Sequence, residues 1–189
     1  MEMQYKERSY GHMENGGGAR RTRTDLMVRF LALGLTLAAA VVLGLNKQTT
    51  TVNVTIAPTL PPVSLPVTAK WLHMSAMVYF VIVNAIVCSY TTVSLILTLV
   101  TKNGNKNVSL MIAILDLVMV ALLFSAIGAT GAVGLIGYKG NSHVQWGKVC
   151  DVFDKFCHRV AVSMVLSFLG SMAYVLLAVL ATFNAYTKF

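Results

Sequence analysis

Charge is what this chain has least of. Of its 189 residues, 12% are charged and 56% are hydrophobic, where a soluble domain carries about 25% charge. The few charges are also clumped, at the N-terminus and in short stretches between long apolar runs. That distribution excludes a soluble protein with a large core and points to a chain that crosses a membrane several times. The net charge of +8 would suit nucleic acid. However, the leader's basic residues, Lys6, Arg8, Arg20, Arg21 and Arg23, stand ahead of an apolar run. Flanking charge of this kind sets topology and attracts anionic lipid, so no nucleic-acid partner is expected.

Cysteine is scarce too. Three cysteines are too few for a disulfide scaffold, and Cys88, inside an apolar run, reads as a small packing residue. The four prolines, Pro58, Pro61, Pro62 and Pro66, all fall in one stretch, where they exclude regular helix and favour extended chain. There is no phosphate-binding glycine loop, no Ser/His/Asp set in a recognisable context and no metalloprotease helix. The expectation is a protein that is not an enzyme and holds no cofactor or metal.

What the chain does have is apolar length. Leu26 to Leu45, Ser75 to Val100, Val108 to Ile136 and Val160 to Ala185 each reach the roughly 20 residues that cross a bilayer as a helix. The predicted fold is all-α, a bundle of four transmembrane helices within a membrane domain over 25–187. Residues 1–24, with Asn15-Gly16-Gly17-Gly18, read as a disordered tail. Asn46 to Lys70 reads as an extended loop carrying the glycosylation sequon Asn53-Val54-Thr55. A second sequon, Asn107-Val108-Ser109, abuts a span and is expected to be unused.

Four spans place both termini on one side. Nine of the fifteen basic residues then share the side of the termini, which favours cytoplasmic N- and C-termini. The Asn53 sequon and a cysteine pair in the third connector both suit the opposite, oxidising side.

Small residues mark faces on which helices can approach closely. Gly34 and Ala38 stand four apart in the first span. Gly128, Gly131 and Gly134 are spaced by three in the third. Ser163, Ser167 and Ser171 form a stripe along the fourth.

One carboxylate, Asp116, lies deep in a span. An unpaired charge there costs about 2.5–3.5 kcal/mol, so Asp116 needs a partner or a polar pocket. Arg29 is the candidate. It lies roughly 5 Å into the first span and Asp116 roughly 12 Å into the third, at 1.5 Å per residue, within reach of an arginine side chain. Alternatively Arg29 snorkels to headgroup phosphates and Asp116 faces a water path in a small channel or transporter subunit.

Cys150 and Cys157 stand seven apart. An unbroken helix holds them about 10.5 Å apart in rise, and a disulfide needs Cα atoms within about 7 Å. Either the helix breaks and they bond, or it continues and they do not. The oxidising side favours the bond. A metal site with His143 or His158 matches no standard zinc spacing.

Several of these features together resemble the plant Casparian strip membrane domain proteins and their CASP-like relatives, distant kin of four-span MARVEL proteins. The resemblance rests on Asp25-Leu26-Met27-Val28-Arg29, on Asp116, and on Gly140-Asn141-Ser142-His143-Val144-Gln145-Trp146 followed by Cys150-Asp151-Val152-Phe153-Asp154-Lys155-Phe156-Cys157. It covers the chain from about Thr24 onward. It implies a multi-pass plasma-membrane protein that self-associates, as homodimers or larger assemblies, and mixes with relatives. It further implies a scaffold that positions cell-wall-modifying enzymes outside. The strip-forming branch carries an aromatic-rich signature in its first outer loop. Here that loop reads Val52-Asn53-Val54-Thr55-Ile56-Ala57-Pro58, which places the resemblance with the CASP-like branch.

Overall fold

The structure is a computed structural model. It describes the backbone of residues 2–54, 63–100, 106–140 and 147–186, and within these all side chains except those of 2–22, 53–54, 63, 106–109 and 183–186. In chain order it contains α1 (Glu2–Gly44), β1 (Lys47–Val54), β2 (Val63–Lys70), a short 3-10 turn (Trp71–His73), α2 (Ser75–Val100), α3 (Lys106–Lys139) and α4 (Asp154–Tyr186).

Each helix includes a stretch long and apolar enough to cross a membrane: Arg23–Gly44, Ser75–Val100, Leu110–Lys139 and Asp154–Thr182. The helices pack as a ring in the order α1, α2, α3, α4, with α4 closing against α1. Thus α1 and α3 face each other across one diagonal, and α2 and α4 across the other. The core runs down the middle, with Ala32, Ala39 and Leu43 against Phe80, Val87, Leu123, Tyr174 and Leu177. Outside, Leu31, Ile82, Leu117 and Val165 are exposed. An apolar exterior of this length, with its backbone bonds satisfied inside the helices, is solvated by lipid.

Four departures from the sequence reading have physical causes. The segment read as a disordered tail has helical backbone from Glu2. Helix nucleation is the costly step, and once the span is helical each added residue gains a bond. The loop read as extended is an antiparallel hairpin, β1 on β2, in register from Lys47↔Lys70 to Val54↔Val63. Its Thr and Val residues favour the pleated backbone, and Pro66 is tolerated because each strand of a two-stranded sheet is an edge. The prolines Pro58, Pro61 and Pro62 lie outside the described residues.

Helix α3 runs past Ile136 to Lys139. It stops where Gly140 takes φ 72° and donates its N–H to the Ile136 carbonyl at 2.8 Å, a left-handed helix stop open to glycine. Helix α4 starts at Asp154 rather than Val160, with that carboxylate in its first turn, where it meets the positive end of the helix dipole.

Candidate functional site

The site begins with Arg29. At 4% exposure it is buried, and Asp116 is at 0%. The two meet as a fork on a fork: the Arg29 Nη1 donates to Asp116 Oδ1 at 3.2 Å and Nη2 to Oδ2 at 2.9 Å. Two further Arg29 donors are used. Nε reaches Asp25 Oδ2, one turn back on α1, at 3.0 Å, and Nη1 also reaches Ser94 Oγ on α2 at 2.8 Å. The carboxylate takes a third bond from the Tyr90 hydroxyl at 2.6 Å, and that hydroxyl lies 3.1 Å from the Ile112 carbonyl. Planar, two-point pairing is the strong form of the arginine–carboxylate contact. It joins α1 to α3 across a diagonal of the ring, with α2 supplying Ser94 and Tyr90 alongside.

Further along the bundle, polar contacts cross the other diagonal. Thr91 and Tyr174 share a hydrogen bond between their hydroxyls. Ser167 donates to Asn84 Oδ1 at 3.1 Å, and all four of these residues are fully buried. Neighbouring helices add Thr36 with Cys88 at 3.3 Å and Thr130 to the Ala76 carbonyl at 3.2 Å.

The opposite end, by the hairpin, is held differently. Asn46 follows α1 and donates Nδ2 to the Phe156 carbonyl at 3.0 Å. Gln48 Oε1 accepts from the Phe156 N–H at 2.7 Å, satisfying one of the free amides at the start of α4. Asn46 Oδ1 is the one buried side-chain polar atom among the described residues with no partner. Cys150 and Cys157 are disulfide-bonded, with Cα atoms 5.7 Å apart. The helix breaks between them, because α4 begins only at Asp154. The loop they close docks on α3, where the Gly137 carbonyl accepts from Val149 N at 2.9 Å and Cys150 N at 3.2 Å.

The small-residue positions divide. Ser163, Ser167 and Ser171 are fully buried and line the inside of α4. Ser163 and Ser171 turn their hydroxyls back to the Val160 and Phe168 carbonyls, at 2.8 and 2.7 Å. Gly34 is exposed and Ala38 half-buried, so they do not form a packing face within the bundle. Burying Arg29 sets the rotation of α1: Ala32, Thr36, Ala39 and Leu43 follow it inward, and Gly34 falls about 140° away at 3.6 residues per turn. A Cβ on Gly34, Gly128 or Gly134 would meet nothing within 4 Å, and one on Gly131 would meet only Met164 Cε, at 3.8 Å. The glycine groove of the third span is therefore largely vacant. The tight approach is elsewhere, at Gly170, where a Cβ would come within 2.9 Å of Thr36 Cγ2.

Asn53 lies in β1, but its side chain falls outside the described residues, as does that of Asn107. His143 lies outside them altogether. Among the described residues, no group of three or more His, Cys, Asp or Glu could hold a metal.

Sequence reasoning missed Tyr90, Ser94 and Gly170. Ser94 was one of many span hydroxyls able to bond back to its own helix. Nothing local separates it from Thr98, which does so at 2.8 Å. The available signal was spacing: Tyr90 and Ser94 are four apart and share one face. Gly170 sits in the serine stripe, one residue before Ser171, and only the position of α1 singles it out.

Comparison with known proteins adds the relatives. Residues 18–173 match the family described as the Casparian strip membrane protein domain. The chain is 53% identical to CASP-like protein 1E2 of Vitis vinifera, over 97% of each chain. It is 50% identical to CASP-like protein 1E1 of Ricinus communis, over 95% of this chain and 91% of that one. With CASP-like protein 1E1 of Arabidopsis thaliana it shares 47% identity over 92% and 90% respectively. No solved structure matches.

Proposed function

Because the chain belongs to the Casparian strip membrane protein family, we propose that it is a multi-pass plasma-membrane scaffold. It self-associates, mixes with family relatives into membrane platforms, and through them positions cell-wall-modifying partners outside. Both termini are cytoplasmic in this reading, and the hairpin and the disulfide loop lie outside.

One observation carries it. Asp116 is fully buried and bonded by Arg29 and Tyr90, so the span charges serve to hold helices together. A channel or transporter subunit would need that carboxylate on a water path. The vacant glycine positions of α1 and α3 leave smooth outer faces for neighbouring bundles. The topology draws support from the basic residues on the side of the termini and from the disulfide on the other.

Fluorescence recovery after photobleaching tests the proposal directly. The tagged protein at the plasma membrane should recover slowly and incompletely. Free, complete recovery would remove the platform and leave only a four-span membrane protein. The topology has its own check. Enzymatic removal of N-glycans should shift the wild type on a gel and leave Asn53→Gln unmoved. A tag at the N-terminus that is labelled from outside intact cells would reverse the orientation.

A further inference from the structure

The hairpin is an unfinished sheet whose two outer edges differ. The residue opposite Thr51 is Pro66, which has no N–H to give to the ladder. The pair therefore occupies a non-hydrogen-bonded position, where the backbone groups of both residues point away from the partner strand. The next pair of the same class agrees. Thr49 and Thr68 bring their hydroxyls to 3.0 Å, and side chains stand closer in non-hydrogen-bonded pairs. Counting by twos, Lys47, Thr49, Thr51 and Asn53 turn their amides to the free edge of β1. Ser64, Pro66, Thr68 and Lys70 do the same on β2, where Pro66 removes a donor from the middle. The β1 edge keeps every donor, and Lys47, Thr49 and Thr51 are exposed. Leu65 and Val67 of β2 are also 47% and 43% exposed, so the sheet has uncovered apolar area, and among the described residues no third strand pairs with either edge. An open sheet edge is a template for another strand.

We infer that the free edge of β1 pairs antiparallel with β1 of a second copy, about a two-fold axis at Thr50, to make one four-stranded sheet. This gives the proposed self-association a surface and rests on that reading. The occupant follows from the strand itself. With the axis at Thr50, Thr49 exchanges bonds with Thr51 of the second copy, and Lys47 with Asn53 of the second copy. All four outward residues are used and no like charges stand opposite. A parallel pairing would set Lys47 beside Lys47 of the second copy, which is unfavourable. The β-branched run Thr49-Thr50-Thr51-Val52 suits a sheet interior, and Pro66 denies the same service to β2.

The test is cysteine cross-linking of the full-length protein in intact membranes under mild oxidant. The native cysteines do not compete, since Cys150 and Cys157 are bonded and Cys88 lies within α2. Thr50→Cys should give a disulfide-linked dimer, because residues paired at such an axis have Cα atoms about 4.5 Å apart, within bonding range. Adding Thr51→Pro should return the dimer to wild-type background, since the lost N–H is on the outer edge and the β1–β2 ladder is spared. Thr68→Cys, on the blunted edge, should not cross-link. Equal cross-linking at Thr50→Cys and Thr68→Cys, indifference to Thr51→Pro, or a product with the mass of a different protein would each overturn the pairing. No Thr50→Cys dimer despite slow photobleaching recovery would reject this edge and leave the scaffold reading standing. No dimer with free recovery would reject both.

Discussion

The two ends of the bundle solve the same problem with different chemistry. Near the start of the apolar stretches of α1 and α3, three spans are tied by a buried ion pair, Arg29 with Asp116, and by the hydroxyls of Ser94 and Tyr90. At the hairpin end the work is done by backbone groups, two amide side chains and one covalent bond. The difference follows from the surroundings. The first set of contacts lies within the spans, where water does not compete and a polar group without a partner is costly. The second lies where helices end and free N–H and C=O groups need caps. The first end should therefore fail abruptly when one partner is lost, and the second should fray by degrees.

Asp116→Ala tests the abrupt end and should have the largest effect. It strands the Arg29 charge between spans, and breaking a buried pair costs about 3–5 kcal/mol. The variant should be retained inside the cell or melt far below the wild type in detergent. Asp116→Glu should be milder, and Arg29→Leu with Asp116→Leu should recover part of the loss, since no charge is left alone. Normal delivery of Asp116→Ala would end the claim that this pair holds the bundle. Opening the hairpin end with Cys150→Ser and Cys157→Ser removes a short covalent loop, with an expected cost of about 2–3 kcal/mol. Limited proteolysis between 140 and 154 should quicken while the four spans persist.

Ser94→Ala sharpens the contrast by deleting one acceptor of a charged donor, for about 2 kcal/mol. A thermal melt in detergent should shift downward, and an unchanged melt would make Ser94 a bystander. Gln48→Ala should have the smallest effect, about 1 kcal/mol for a lost helix cap. Amide exchange should rise at Phe156 and its neighbours, with no change around Asp116.

The sequence spoke clearly about long-range composition and poorly about which way a helix turns. Four apolar runs announced four helices, and one acid among apolar neighbours called for a partner. The cysteines left two outcomes open, which the start of α4 at Asp154 resolves. The hairpin was legible only as extended chain, because strand pairing depends on register between segments and not on either segment alone. The small residues were read alike and turned out unalike. Ser163, Ser167 and Ser171 face the core, Gly34 faces outward, and Gly170 makes the closest approach. Spacing by three or four says that residues share a face without saying where that face points.

By itself, then, the sequence determined that this chain lives in a membrane and crosses it as four helices, because transfer of long apolar runs into lipid depends on composition and length alone. Which groups meet was a tertiary decision. Arg29 turns inward to Asp116 because a buried charge without a partner costs more than any local preference of α1. That turn places Thr36 against Gly170, and it leaves Gly34 facing outward.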